Sequence, residues 1–473
     1  MDDPRADANP YTAGIAAFVS GLRYERIPAE VIARVKLLIL DSLGCALYGA
    51  DLPWSRILIN TLARLDRTPD CTVWGTDRRL SAPHAALANG SLVQSFELDD
   101  VHREGVLHTG AVTLPAVLAV DELSQGISGR DFVTAVIAGY EVGARVGMCM
   151  GPEHIAQGWH SGATVGVFAA AAGAASALSL NPGETVHALG IAGTQASGLM
   201  AAQYGAMVKR MHAGRASQSG LYGALLAEAG FTGITDVFES RYGGFCTTFS
   251  RSEDGFDRAK LVAGLGEQFE SLRVSLKFYS CVASNHTTLD AIRALQSRRA
   301  FGADDIDRIV VHASKATVEH AGWDYRPQGL TAAQLNLGFC VATLLLEGDV
   351  FVDQFGAESA TDPRRIALAR KVEVRHDPAI TALGPKLRHR VHVEVYLNDG
   401  TRLEETATSP RGSESSFASE ADIVAKFRKL TARVLAPADL ARVIETVRDI
   451  ETLDDVRDLT RLLALTTRGE SKA

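Results

Sequence analysis

Residues 207–233 read "MVKRMHAGRASQSGLYGALLAEAGFTG", and the spacing of their smallest residues decides how this chain folds. Ala216, Gly220 and Ala224 recur every fourth position, so they share one face of a helix that Gly230 ends. A face without side chains lets a second helix axis come close, which predicts a tightly packed bundle. Just before this helix stand Lys209, Arg210, His212 and Arg215, a cationic group in a chain of formal net charge −8. Cations and helix-start amides delivered to one place suit an anionic ligand with two or three carboxylates.

The same texture extends outward. Roughly the first 265 residues read as successive helices, among them "IPAEVIARVKLLILDSLGCALYGA", "SAPHAALANGSLVQSFELDD", "GRDFVTAVIAGYEVGARVG" and "NPGETVHALGIAGTQASG". Pro28 suits a first helical turn, and the 43 glycines exceed the roughly 33 expected at average usage. From about Leu272 the pattern becomes β-branched and alternating, in "DRIVVHASKATV", "RKVEVRHD" and "HRVHVEVYLNDGTRLEETA". In the last of these Val391, Val393, Val395 and Leu397 share a face ahead of an Asn-Asp-Gly turn, which predicts a hairpin. A helical pattern, "TAAQLNLGFCVATLLLEGD", lies between the strands, and helices return after about Gly412 before a charged tail. The expected fold is mainly α. A large helical domain forms from both chain ends (residues 1–268 and 409–473), with a smaller α+β lid domain, residues 269–408, inserted between them.

Composition narrows the function. At 473 residues, with 46% hydrophobic and 22% charged, the chain can bury a large core. Its acidic balance opposes nucleic-acid and anionic-membrane partners. Six scattered cysteines without a CxxC pair argue against a zinc knuckle, an iron–sulfur cluster or a disulfide framework. The polar, acidic N-terminus does not read as a signal peptide, and a cytoplasmic location is expected. There is no P-loop, no G-x-S-x-G elbow and no strand-borne G-x-G-x-x-G.

Three further stretches carry candidate chemistry. "FELDDVHREGVLHTGA" concentrates Asp99, Asp100, His102, Glu104 and His108. Such a set can ligate a metal, move protons or bind carboxylates, or simply cap a helix. "GWHSGATVGVFAAAAGAASAL" sets His160 before Ser161, an expected N-cap, at the positive end of an Ala-rich helix. "SLKFYSCVASNHTTLDAI" brings Lys277, Tyr279, Cys281 and His286 to the domain junction, where ligand clefts concentrate. The other histidines, His84, His154, His187, His312, His320, His376, His389 and His392, read as structural.

Together, "LDSLGCALYGA", "ELDD" followed by "HTGAVTLPA", "WHSGATVGVFAAAA", "MVKRMHAGRASQSG" with "GFTG", and "LKFYSC" with "NH" resemble the MmgE/PrpD family along nearly the whole chain. The resemblance implies a helical domain with a lid, a homodimer, and a site that needs no metal or organic cofactor. It implies site roles for Asp99, His108, His160, Lys209, His212 and His286 and for a lid tyrosine, placed at Tyr325; the expected catalytic residues are Asp99, His108, His160 and Lys209, and the expected substrate contacts are His212, Arg210, His286, His102 and Tyr325. His102 stands where many members carry another pattern. The substrate class implied is a small di- or tricarboxylic acid. Dehydration of 2-methylcitrate ranks first, decarboxylation of cis-aconitate second and epimerisation of iminodisuccinate third; a non-catalytic carboxylate-binding protein is the alternative from another class. In the expected mechanism Lys209 and His212 hold carboxylates while His108 or His160 exchanges a proton at carbon.

Overall fold

The small-residue face becomes the inside of helix His212–Glu228. A Cβ added at Gly220 would lie 2.4 Å from the Ala170 Cβ and 2.5 Å from the Val167 carbonyl oxygen, both from the neighbouring Ala-rich stretch. At Gly214 it would fall 2.0 Å from the Leu87 carbonyl oxygen of helix Ala82–Val93, where Gly90 faces Gly214 in return. These helices touch backbone to backbone. Thr109–Leu123 and Gly129–Ala156 complete the packing around them. Gly129–Ala156 is the one described helix long and apolar enough to cross a membrane, and its apolar window is wholly buried inside the protein. The helix is interrupted at Gly151, whose positive φ of 63° precedes Pro152.

The structure, a computed structural model, describes residues 9–124, 126–250 and 255–465. The acidic start and the charged tail read from the sequence lie outside the described residues, apart from the last residues of that start. Pro28 occupies the cap before helix Ala29–Gly49 rather than its first turn. Helix Glu420–Thr431, near the chain end, packs on Ala29–Gly49: a Cβ at Gly44 would meet Phe427 at 2.9 Å. Lys426 Nζ reaches across this contact to Asp41 Oδ1 at 2.6 Å and to the Leu98 carbonyl at 2.7 Å. Both groups are buried, so each neutralises a charge that would otherwise be stranded.

The later half supplies a four-stranded sheet in the order Val372–His376, Ile306–Ala313, Val391–Leu397, Arg402–Ala407. The first pair is parallel and the others are antiparallel. Val391, Val393, Val395 and Leu397 are buried as the alternation requires, and Gly400, at φ +85°, makes the hairpin turn. Helix Ala283–Arg298 packs on the Val391–Leu397 and Arg402–Ala407 strands. The stretch read as one helix is two, Leu330–Leu335 and Leu337–Glu347. Asn336 leaves the helical conformation between them and accepts the Phe339 N–H at 2.8 Å, capping the second. A two-residue antiparallel ladder, Val101–His102 with Val274–Ser275, ties the acidic stretch to the segment that leads into the sheet. The fold is mainly α with small sheet elements, as its spacing predicts.

Because nothing can yield at Gly220 except backbone, Gly220→Val should cost about 3 kcal/mol or more in urea denaturation, beyond the usual overpacking range of about 1–3 kcal/mol. Gly348→Ala, at a left-handed helix end in open space, should cost about 1 kcal/mol. Equal losses would contradict the close-packed face.

Candidate active site

The acidic stretch leaves its helix after Val93 and runs as irregular chain through Phe96–Asp100 into the short ladder. Within it Glu97 adopts a left-handed backbone, φ +59°, which is costly for a residue with a side chain. Its carboxylate is buried and meets three cations. Lys209 Nζ donates to Oε1, Arg210 Nη1 lies 2.7 Å from the same oxygen, and Lys277 Nζ lies 3.4 Å from Oε2. Burial alone would push this carboxyl up, but the charges of Lys209, Lys277 and Arg210 outweigh it and hold its pKa well below the ordinary range. Arg210 spends its other arm on Thr331 Oγ1 (3.2 Å) and Gln334 Oε1 (2.7 Å). With both arms engaged it braces Glu97 and the Leu330–Leu335 helix, a correction to the expectation that Arg210 binds substrate.

The two adjacent aspartates divide their work. Asp100 accepts from Thr109 Oγ1 (2.9 Å) and the Gly110 N–H (2.9 Å), so it caps helix Thr109–Leu123; burial pushes its pKa up to about 7. Asp99 instead has Oδ2 2.8 Å from His108 Nδ1 and Oδ1 3.8 Å from Lys277 Nζ. Burial raises the Asp99 carboxyl, yet His108 and Lys277 outweigh burial and keep it ionised. His108 Nδ1 also faces the Asp100 carbonyl at 3.0 Å. The Asp100 carbonyl can only accept, so it fixes the hydrogen on Nδ1, with the Asp99 carboxylate beside it, and leaves Nε2 as the atom that takes or gives a proton.

His160 is itself the cap of the short helix Ser161–Thr164, the place the sequence reading gave to Ser161. Its ring stands 4.8 Å from that of His212, the first residue of the helix that follows Lys209. Burial, then the charge of Lys209, lowers both: His212 to about 4, and His160 well below the ordinary value. His286, on helix Ala283–Arg298, points Nε2 at the Cys281 carbonyl (3.1 Å) and is lowered to about 3 by burial and Lys277. These three imidazoles are neutral hydrogen-bonding groups, with Nδ1 of His160 and of His212 buried and unpartnered among the described residues.

Two expected residues leave the site. His102 accepts the Gly105 N–H at Nδ1 (3.0 Å) and binds Glu270 through Nε2 (3.0 Å), so no ring atom remains for a substrate. Tyr325 donates its hydroxyl to the Ala360 carbonyl (2.8 Å) and packs at a tilt on Phe339, with ring centroids 4.5 Å apart. Arg215 is exposed and pairs with Gln218. Sequence reasoning missed Glu97 as the hub, although one acid between Phe96 and Leu98 is an expensive choice that could have marked it. His320 and His389, read as structural, carry charge interactions with groups of this region: Lys209 and Lys277 act on His320, and His286 acts on His389. Asp99, His102 and His108 form no convergent ligand set. Among the described residues that property belongs to His392, Glu394 and Glu404 on the sheet, where Arg402 already pairs with both carboxylates.

A model of the MmgE/PrpD N-terminal domain matches residues 13–256, and one of the MmgE/PrpD C-terminal domain matches residues 279–452. The chain is 36% identical over 470 residues to the cis-aconitate decarboxylase-like protein oryM of Aspergillus oryzae, covering 96% of this chain and 97% of that protein. It is 36% identical over 486 residues to the cis-aconitate decarboxylase of Aspergillus terreus, covering 98% of each. With the cis-aconitate decarboxylase of Mus musculus it shares 28% identity over 466 residues, 96% of this chain and 93% of that one.

The depressed imidazoles set a pH dependence of stability. His212 binds a proton near 6.5 when exposed and only near pH 4 when folded, so its folded state is unpenalised above about 6.5 and loses stability as the pH falls toward 4. His212→Asn should therefore recover on the order of 2 kcal/mol of the loss that urea denaturation records between pH 7 and pH 4.5. Identical pH profiles for the two proteins would show that His212 titrates normally.

Proposed function

The chain belongs to the MmgE/PrpD family and is a lyase, and from that premise we propose that it decarboxylates cis-aconitate or a closely similar unsaturated tricarboxylate. The observation that carries the reading is the pairing of His108, free at Nε2 and backed by Asp99, with the cations gathered on Glu97. Dehydration ranked first on resemblance alone. The full-length relatives are named for decarboxylation, so that reaction, formerly second, takes its place.

The chemistry follows from charge. When a carboxylate leaves as carbon dioxide, the electron pair of the broken C–C bond stays on carbon and spreads into a neighbouring carboxylate. Water stabilises that state poorly; fixed cations in a dry pocket stabilise it well, by about 3 kcal/mol for a well-placed contact. Lys209 and Lys277 supply the positive field, and His212 and His160, as neutral N–H donors, orient carboxylate oxygens beside it. His108 then delivers the proton from Nε2 to carbon, with Asp99 compensating the charge that the ring carries beforehand. The electron pair thus ends in a new C–H bond.

Incubation with cis-aconitate in D₂O should release carbon dioxide and place deuterium at one product carbon by proton NMR. His108→Ala should slow turnover about 10²- to 10⁴-fold without lowering the melting temperature appreciably. A protein that dehydrates 2-methylcitrate and leaves cis-aconitate untouched would restore the earlier ranking; unchanged turnover in His108→Ala would remove the role given to this ring.

A further inference from the structure

Among the described residues, the partly buried Arg388 has no counter-ion. Arg388 lies in the turn between the Pro385–Leu387 segment and strand Val391–Leu397. Its carbonyl is clamped by Ser314 Oγ (2.6 Å) and Thr317 Oγ1 (3.2 Å), from the start of helix Lys315–Ala321. Its guanidinium Nε donates to His389 Nε2 at 3.2 Å. That bond fixes the His389 hydrogen on Nδ1, where it is buried without an acceptor in a side chain only 2% exposed. His320 stands three residues beyond Thr317 on the same helix, and hence on the face turned toward Arg388. Arg103, from the acidic stretch, approaches from the other domain through the Lys386 carbonyl (3.1 Å), but its own charge is met by Glu414 at 3.3 Å. No carboxylate pairs with Arg388 among the described residues.

Arg388 and His320 are both partly buried. Burial and the neighbouring Arg103 charge lower the Arg388 pKa to about 10, which still leaves the guanidinium charged at neutral pH. Burial first, then the charges of Arg388, Lys209 and Lys277, lower His320 to about 4, so the sheet-side cluster and the Glu97 cluster lie within one another's field. A buried donor without an acceptor and a guanidinium without an anion at the same spot describe half of an ion pair.

We infer that Arg388, braced by His389 and flanked by His320, is a carboxylate-binding residue of the lid that takes the carboxylate of a tricarboxylic substrate not held by Lys209 and Lys277. The inference rests on the carboxylate-substrate reading above and adds to it a third anchoring point from the opposite wall. A guanidinium fork fits a carboxylate in two parallel N–H···O bonds, which fixes the orientation of the acid as well as its presence.

The test separates this anchor from the reaction by measuring binding of acids that do not react. Isothermal titration of the full chain would use the saturated propane-1,2,3-tricarboxylate and the dicarboxylate glutarate. Arg388→Gln should weaken the tricarboxylate roughly 10- to 100-fold, glutarate less than about threefold, and raise KM for cis-aconitate more than it lowers kcat. Arg388→Lys, which keeps the charge and loses the fork, should fall between, and it carries the comparison if the glutamine variant fails to fold. Wild-type affinity for the tricarboxylate retained in both variants overturns the inference and leaves the decarboxylase reading standing. Selective loss of tricarboxylate binding in a protein inert toward cis-aconitate keeps the anchor and overturns the decarboxylase reading. No binding of either acid by the wild type removes both.

Discussion

Glu97 is buried, ionised and left-handed in its backbone, and each of these conditions is tolerable only because of the groups that converge on it. Lys209, Arg210 and Lys277 come from 112, 113 and 180 positions away. Desolvating each cation costs on the order of several kcal/mol unless an anion meets it. Removing the one carboxylate would strand Lys209 and Arg210 and leave Lys277 only Asp99, at 3.8 Å. The arrangement also closes a loop in space: Arg210 reaches Gln334, and Gln334 Nε2 returns to the Phe96 carbonyl (3.0 Å), the residue before Glu97. The first helical region, the segment leading into the sheet and the Leu330–Leu335 helix are thereby held in one geometry, with the strain of φ +59° as the local cost of aiming the side chain.

From that constraint follows the division among the imidazoles. Burial first, and then the cations that Glu97 gathers, lower His160, His212 and His286 alike. His108 alone of the four has an aspartate at Nδ1. The site therefore separates imidazoles kept neutral at neutral pH from one ring backed by a carboxylate. A residue's role here depends less on being histidine than on which ion it faces.

Much of the fold was legible in the sequence because its determinants are periodic. Ala216, Gly220 and Ala224 announced a bare helix face, and Val391, Val393, Val395 and Leu397 announced a buried strand face; each pattern needs only nearest neighbours to be read. The site was legible where a residue sits on an element whose start is marked, as with His212 and Lys209. It failed where tertiary partners decide. His102 and His108 look equivalent six residues apart, but the short ladder turns His102 toward Glu270, while a helix start turns His108 toward Asp99. Tyr325, expected as the lid tyrosine that contacts substrate, is buried, and Phe339 packs on it. Arg388 and His389, beside a strand that advertised only alternation, gain meaning from Ser314, Thr317 and Arg103, which no local pattern connects to them.

The count of charges bears on which reaction suits such a site. Lys209, Arg210 and Lys277 oppose Glu97 and Asp99, so this wall alone holds one positive charge in excess. The three neutral rings add none, the proton that His108 is to deliver adds one, and a tricarboxylate brings three negative charges. On the reading proposed above, Arg388 adds a further positive charge from the lid, so a tricarboxylate is gripped from both sides. Decarboxylation then alters its own binding. Loss of carbon dioxide carries away one carboxylate while a proton restores the carbon, and the product has one anchor fewer. A dehydration would leave all three carboxylates in place and the grip unchanged. The same electrostatics that lower the barrier for loss of carbon dioxide would therefore also favour release of what remains, which ties the opposed cations to decarboxylation more closely than to loss of water.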